Sequence, residues 1–237
     1  NWLLEFDKES TADRAFTLGN GTKAQVPTMS LMGEQEVPYA SGSGWKATEL
    51  RYLGADHSAP LAMTLILPDD IDAFEKGLTT AKLTSIVTKL DGQRKRIAET
   101  KERQVDEYMA CPFFAYEVRL FMPRFGIDTR AELVPVLKKL GMKAAVNPDA
   151  ADFSGITPGS LFISVVIHQA NIDVDETGTE AAAATAVMMD TTGGCGGPQP
   201  AKTITLRLNR PFLFVLRDVR TGAILFMGRV LDPSTRS

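Results

Sequence analysis

The pattern of apolar and polar positions divides the chain into a strand-rich beginning, a helical middle and a strand-rich end. Apolar runs flank Asn20-Gly21 and predict a hairpin over residues 14–33, because Asn-Gly between such runs is a strong hairpin signal. Two more strands are predicted at 45–53 and 61–67. The second is apolar throughout, which indicates burial on both faces.

The apolar spacing changes to that of a helix after residue 70. Residues 71–104 predict two helices with a break at Thr79-Thr80, and a short helix over 133–140 is predicted to end at Gly141. Strands are predicted again at 115–122, 161–174, 203–208, 212–217 and 223–231. Because strands and helices are grouped along the chain and do not alternate, the pattern favours an α+β fold.

Composition excludes several classes of partner. The formal net charge is −3 over 237 residues, whereas a protein that binds a phosphate backbone shows a strongly basic face. Cys111 and Cys195 form no C-x-x-C pair typical of zinc sites, and no apolar run reaches the length of a membrane span. We therefore expect no nucleic acid, no membrane, no metal and no cofactor.

The two histidines are the only candidates for a Ser-His-Asp catalytic site. Asp56, His57 and Ser58 are neighbours in a short loop, and adjacent loop residues rarely point at one another, so we expect no triad there. His168 lies in an apolar strand, where a hydrogen-bonded core histidine is the default interpretation. The sequence therefore does not predict an enzyme.

A stretch of small residues at 178–186, followed by a glycine-rich segment at 193–197, separates two segments predicted as buried strands. By composition alone it is typical of a helix or a linker, since alanine has the highest helix propensity. Neither interpretation explains its position between strands.

The end of the chain resembles the C-terminal signature of serpins, the serine protease inhibitor superfamily. It reads LRLNRPFLFVLRD at 206–218 and LFMGRV at 225–230. Matches in the same order include MPRF at 122–125, DFSGI at 152–156 and VIHQA at 166–170.

The resemblance implies that residues 1–237 are the C-terminal portion of a single serpin domain. It would have mixed and antiparallel sheets, a few helices and an exposed reactive-centre loop at about 177–203. An N-terminal helical bundle and the first strands of the main sheet would precede Asn1.

The resemblance also implies a function, inhibition of a serine endopeptidase by suicide inhibition. The protease cleaves the loop, and the loop then inserts into the main sheet as a strand. The stretch that resembles the hinge of this loop is Gly178, Thr179, Glu180, Ala181, Ala182, Ala183, Ala184, Thr185 and Ala186, and its Ala and Thr side chains are small enough to slide between strands. The spacing from Gly178 puts the reactive bond at Thr192-Gly193, whereas counting back from Pro198 favours Cys195-Gly196.

Further serpin roles follow from the resemblance for four residues. Trp2, Arg124 and Glu176 match the breach, where insertion begins, and His168 matches the shutter, a polar cluster under the main sheet. No Lys or Arg lies near the reactive bond, so the target would be an elastase-like or subtilisin-like protease. Family resemblance further implies a secreted monomer. The alternative function is that of a non-inhibitory serpin acting as a carrier or chaperone.

Overall fold

The computed structural model describes residues 1–34, 37–54, 60–106, 116–178 and 202–235. A 3₁₀ helix at Lys8–Ser10 comes first. The strands are β1 (Ala12–Thr17), β2 (Lys23–Glu34), β3 (Tyr39–Gly42), β4 (Trp45–Tyr52), β5 (Leu61–Pro68), β6 (Glu117–Pro123), β7 (Phe125–Glu132), β8 (Ile167–Val174), β9 (Thr203–Arg207), β10 (Phe212–Asp218) and β11 (Ile224–Val230). The helices are α1 (Ile71–Lys76), α2 (Thr80–Asp106) and α3 (Val134–Lys139). The α+β prediction is confirmed.

The chain forms two compact units, Asn1–Phe125 with Asp173–Arg236, and Gly126–Ile172. The first unit contains a five-stranded antiparallel sheet in the order β11-β10-β5-β4-β3. Seven of the eight residues of its central strand, β5, are buried, as the unbroken apolar run predicted. Helices α1 and α2 cover part of this sheet. The buried cluster between the helices and the sheet contains Ala40, Trp45, Ala47, Ile66, Phe74, Ile86, Leu90 and Leu213.

The predicted break between two helices is confirmed. Asp70 caps α1, since its side chain accepts a hydrogen bond from the amide of Ala73. The helix ends at Gly77, and α2 begins three residues later at Thr80.

The first unit also contains a four-stranded sheet in the order β1-β2-β6-β9. The predicted hairpin is its β1–β2 pair, where Gly21 in the turn has a φ of 84°, in the left-handed region that favours glycine. Strand β6 is antiparallel to β2 and parallel to β9. Strand β9, which comes from a distant part of the chain, forms one edge of this sheet.

The second unit contains α3 and most of β7 and β8, which pair in a two-stranded sheet. Gly141 follows α3 with a φ of 106°, as its position predicted. The strand prediction over 161–174 was wrong in its first part, because β8 begins only at Ile167 and residues 161–166 form no strand. The pattern also missed β3, which is only four residues long, and β7, which contains Gly126. Both strands depend on pairing with a neighbouring strand.

Candidate functional site

The chain reverses direction immediately after β8, in a turn at residues 175–178. One carboxylate oxygen of Asp175 accepts hydrogen bonds from the Thr177 amide at 2.8 Å, the Thr177 hydroxyl at 2.7 Å and the Gly178 amide at 3.2 Å. The Asp175 amide donates to the carbonyl of Gly178 at 3.0 Å. An aspartate that binds the amides two and three residues ahead fixes a tight turn, so this turn is built largely by its first side chain.

Gly178 closes the turn in a conformation that favours glycine. Its φ is 148°, and a Cβ added there would lie 2.9 Å from the Cα of Asn1. Any larger residue would therefore strain the backbone and displace the beginning of the chain.

Trp2 holds the turn from one side. Its indole Nε1 donates to the carbonyl of Asp175 at 2.8 Å, and its backbone amide donates to the carbonyl of Thr177 at 2.8 Å. The indole is 1% exposed and stacks on Tyr52 of β4, with ring centroids 4.4 Å apart. The turn is thus attached to the five-stranded sheet through a rigid, buried aromatic pair.

Glu176 holds the turn from the other side. One oxygen of its carboxylate accepts hydrogen bonds from Arg124 Nε at 2.8 Å and Arg124 Nη2 at 2.7 Å. The hydroxyl of Thr11 donates to the same oxygen, and the amide of Phe6 donates to the Glu176 carbonyl at 3.1 Å. Glu176 is only 2% exposed, so these donors replace the water that a carboxylate otherwise requires.

The environment of Glu176 lowers its pKa below the usual value of 4.5. Burial by itself raises the pKa of a carboxyl group, but here the hydrogen bonds from Arg124 and Thr11 outweigh it. The carboxylate therefore stays charged at neutral pH and keeps its ion pair.

The three residues predicted for the breach thus meet at one turn at the end of β8: Glu176 lies in the turn, and Trp2 and Arg124 contact it. Sequence reasoning missed Asp175 and Thr11, which complete the arrangement. The pattern Asp-Glu-Thr-Gly at 175–178 is typical of a turn held by its aspartate, and this local signal was available. Thr11 gave no such signal, since it lies 165 positions from its partner.

The structure does not support the interpretation of His168 as a core histidine. It lies on β8, its side chain is exposed, and it makes no hydrogen bond within the described residues. Its shutter role stays a prediction, because the partners expected for it belong to the portion that would precede Asn1.

Several sequence predictions lie outside the described residues. These are the remaining hinge positions Thr179, Glu180, Ala181, Ala182, Ala183, Ala184, Thr185 and Ala186, the reactive-bond candidates Thr192, Gly193, Cys195 and Gly196, and Asp56, His57, Ser58 and Cys111. Within the described ranges, no group of His, Cys, Asp and Glu side chains is arranged to hold a metal ion. No described helix is long and apolar enough to cross a membrane.

A second cluster of charges, with Glu49 and Arg217 buried at its centre, lies between β4, β10 and α2. The carboxylate of Glu49 accepts from Arg217 at 2.7 Å and 3.1 Å and from the hydroxyl of Thr64 at 2.9 Å, and Arg94 pairs with its other oxygen. Asp91 binds both arginines, at 2.6 Å from Arg217 and 2.7 Å from Arg94. The charges of both carboxylates are satisfied by guanidinium groups, so the cluster joins the helix to the sheet and offers no reactive group.

Comparison with known proteins places the chain in a family. The family model described as "Serpin (serine protease inhibitor)" matches residues 1–233. An uncharacterized serpin-like protein of Methanosarcina acetivorans is 36% identical over 98% of this chain and 47% of its own length. Human plasminogen activator inhibitor 2 is 31% identical over 98% of this chain and 50% of its own.

Solved structures give the same result. The native thermophilic serpin tengpin has a TM-score of 0.70 and 28% identity, over 98% of this chain and 52% of tengpin. Human kallistatin has a TM-score of 0.68 and 28% identity, over 98% of this chain and 53% of kallistatin. The chain spans about half the length of these relatives.

Proposed function

The chain belongs to the serpin family, and from this premise we propose that the polypeptide containing it inhibits a serine endopeptidase as a suicide substrate. The observation that carries the proposal is the turn at residues 175–178. Its hydrogen bond from the Asp175 amide to the Gly178 carbonyl is of the kind that opens a hairpin, so a chain leaving this turn would run antiparallel beside β8.

Strand β8 is the strand that such an added strand would pair with. Within the described residues its sheet has two strands, β7 and β8, so the inserted segment would add a third. The residues after the turn are small, which allows them to enter between packed strands. Each backbone hydrogen bond that the new strand gains would stabilise the inserted form by about 0.5 to 1.5 kcal/mol.

The proposed mechanism uses this gain to stop the protease. The catalytic serine of the target attacks the reactive bond, releases the new amino terminus and becomes an ester of the loop carboxyl group. Insertion of the hinge then pulls the ester away from the catalytic histidine and the oxyanion hole. Both act only at short hydrogen-bond distances, so hydrolysis of the ester stalls. The inhibitor is consumed in one turnover and is not an enzyme.

We place the reactive bond at Thr192-Gly193, with Cys195-Gly196 as the alternative. A small residue before the bond suits elastase-like or subtilisin-like proteases, whose pockets do not require a basic side chain. We further propose, from family membership alone, that the natural polypeptide is secreted and monomeric.

The test is to incubate the natural polypeptide with a panel of serine proteases. We expect a covalent complex that survives denaturing electrophoresis with an elastase-like or subtilisin-like protease. Mass spectrometry of the released C-terminal peptide should find that it begins at Gly193 or Gly196. Cleavage without any complex would contradict inhibition and favour the non-inhibitory alternative, to which the glycine-rich segment 193–197 gives some support.

A further inference from the structure

A cleft on one face of the four-stranded sheet combines two arginines with one aromatic ring. The cleft encloses about 350 Å³, and Arg14, Phe121 and Arg207 are among the residues that line it. The register explains why they meet. Arg14 lies opposite Val26 and Phe121 opposite Ser30, two positions that share a face of β2, and Arg207 lies directly opposite Phe121.

Both guanidinium groups stack on the Phe121 ring. The Cζ of Arg14 lies 4.8 Å from the ring centroid and the Cζ of Arg207 lies 4.9 Å from it. Phe121 is 8% exposed and therefore fixed. A cation over an aromatic face is attracted by the ring quadrupole, so the ring holds the two side chains in place before any ligand arrives.

No described residue takes up the hydrogen-bond donors of either arginine. Within the described part of the chain, neither Arg14 nor Arg207 has a carboxylate within 4.0 Å or donates a hydrogen bond to another residue. Asp13 also lines the cleft but forms no ion pair there. Two exposed arginines that pair with no carboxylate among the described residues, and that are ordered on one ring, are suited to bind negative charge.

We propose that this cleft binds an acidic segment of a protein partner, with one carboxylate on Arg14 and another on Arg207. The arginines approach the ring from different strands, Arg14 from β1 and Arg207 from β9, and their Cζ atoms lie within about 10 Å of each other. Alternate side chains of an extended peptide are roughly 7 Å apart and point the same way. Two such carboxylates can therefore reach the two arginines, one each.

This proposal does not rest on the proposed inhibitory activity. It uses only the sheet face, which lies in the described residues, and it is tested without a protease. A partner bound there would contact β9, the edge strand that begins at Thr203.

The test measures binding of a dye-labelled peptide, with glutamate at every second residue, to the natural polypeptide by fluorescence anisotropy at low and physiological salt. The double variant Arg14→Gln/Arg207→Gln should bind it roughly tenfold more weakly, since two charge pairs are lost. The matched control Arg130→Gln/Arg220→Gln removes the same charge from exposed positions and should bind as the unmodified chain does. Equal loss in both variants would overturn the proposal, because it would mean attraction to net charge alone.

Two further measurements identify the occupant and the site. Inorganic phosphate should not displace the peptide at equal concentration of negative charge, and displacement would show a simple anion site instead. A photo-crosslinking version of the peptide, used on the unmodified chain, should label residues 12–17 or 203–209. Labelling confined to other segments would overturn the proposal even if the double variant fails to fold.

Discussion

Glu176 makes more contacts around the turn at residues 175–178 than its single charge suggests. Its carboxylate binds Arg124 and Thr11, and its carbonyl binds the amide of Phe6, so one buried residue links the turn to residues 6–11 and to the junction of β6 and β7. Replacing it leaves the donors of Arg124 and Thr11 without an acceptor in a site with little access to water.

The first prediction concerns Glu176→Lys in the natural polypeptide. A second cation beside Arg124 breaks the ion pair and should lower the free energy of unfolding by about 1 to 3 kcal/mol, less than for a fully buried pair because Arg124 is partly exposed. The loosened turn should promote polymers on mild heating. Size-exclusion chromatography measures the loss of monomer, and an unchanged monomer fraction would count against the role of this residue.

The second prediction concerns pH. The pKa of Glu176 is lower in the folded protein than the ordinary value of 4.5, so its stabilising contribution is complete above that value and is lost as the pH falls through the lowered pKa. Below about pH 4.5, the free energy of unfolding should decrease by up to about 1.4 kcal/mol per pH unit on account of this group. The variant Glu176→Gln should lack this part of the slope, and identical slopes in chemical denaturation would refute the assignment.

The sequence identified some residues around the turn at 175–178 but not others. Trp2, Arg124 and Glu176 could be chosen by resemblance, because each matches a position of the serpin breach. No motif linked them to Thr11 or Tyr52, since such contacts depend on how strands far apart in sequence are brought together. The expected burial of His168 was wrong for a related reason: an apolar strand predicts burial, but only the neighbouring elements decide whether a side chain is covered. Its shutter role stays a prediction.

Among the elements, β10 and β11 show how closely the five-stranded sheet is packed. Gly228 of β11 lies opposite Phe214 of β10, and a Cβ at Gly228 would come within 2.8 Å of two atoms of the Phe214 ring. The glycine therefore provides the space that the ring occupies.

The third prediction compares two glycine substitutions. Gly228→Ala should destabilise the protein by about 1 to 3 kcal/mol, because the ring of Phe214 must move within a packed sheet. Gly92→Ala on α2 meets nothing within 4 Å and should stabilise it by up to about 1 kcal/mol through helix propensity. Thermal unfolding checks both, and a destabilised Gly92→Ala variant would show that α2 is constrained in a way its exposed position does not indicate.

Element prediction succeeded where a periodic pattern was long or a capping residue was present. The break between α1 and α2, the β1–β2 hairpin and the buried β5 all had such signals. Strand β3, with the sequence Tyr-Ala-Ser-Gly, has little strand propensity of its own and forms because β4 provides its hydrogen-bonding partner.

At the scale of the molecule, the order of strands in the sheets was not predictable from periodicity. The parallel pairing of β6 with β9 joins segments separated by about 80 residues, and nothing in either strand specifies its partner. Family resemblance supplied the fold that local patterns could not. The functional proposal starts from the family to which the chain belongs and is carried by the turn at 175–178.

The central claim is that the stretch after Gly178 becomes a strand once the loop is cut. The most direct measurement is the melting temperature of the natural polypeptide before and after cleavage between residues 191 and 196. About eight new strand hydrogen bonds should raise it by roughly 10 °C. Thr185→Arg, which places a bulky charge in the hinge, should be cleaved without this rise. A melting temperature that is unchanged or lower after cleavage of the unmodified protein would contradict insertion, and with it the proposed mechanism of inhibition.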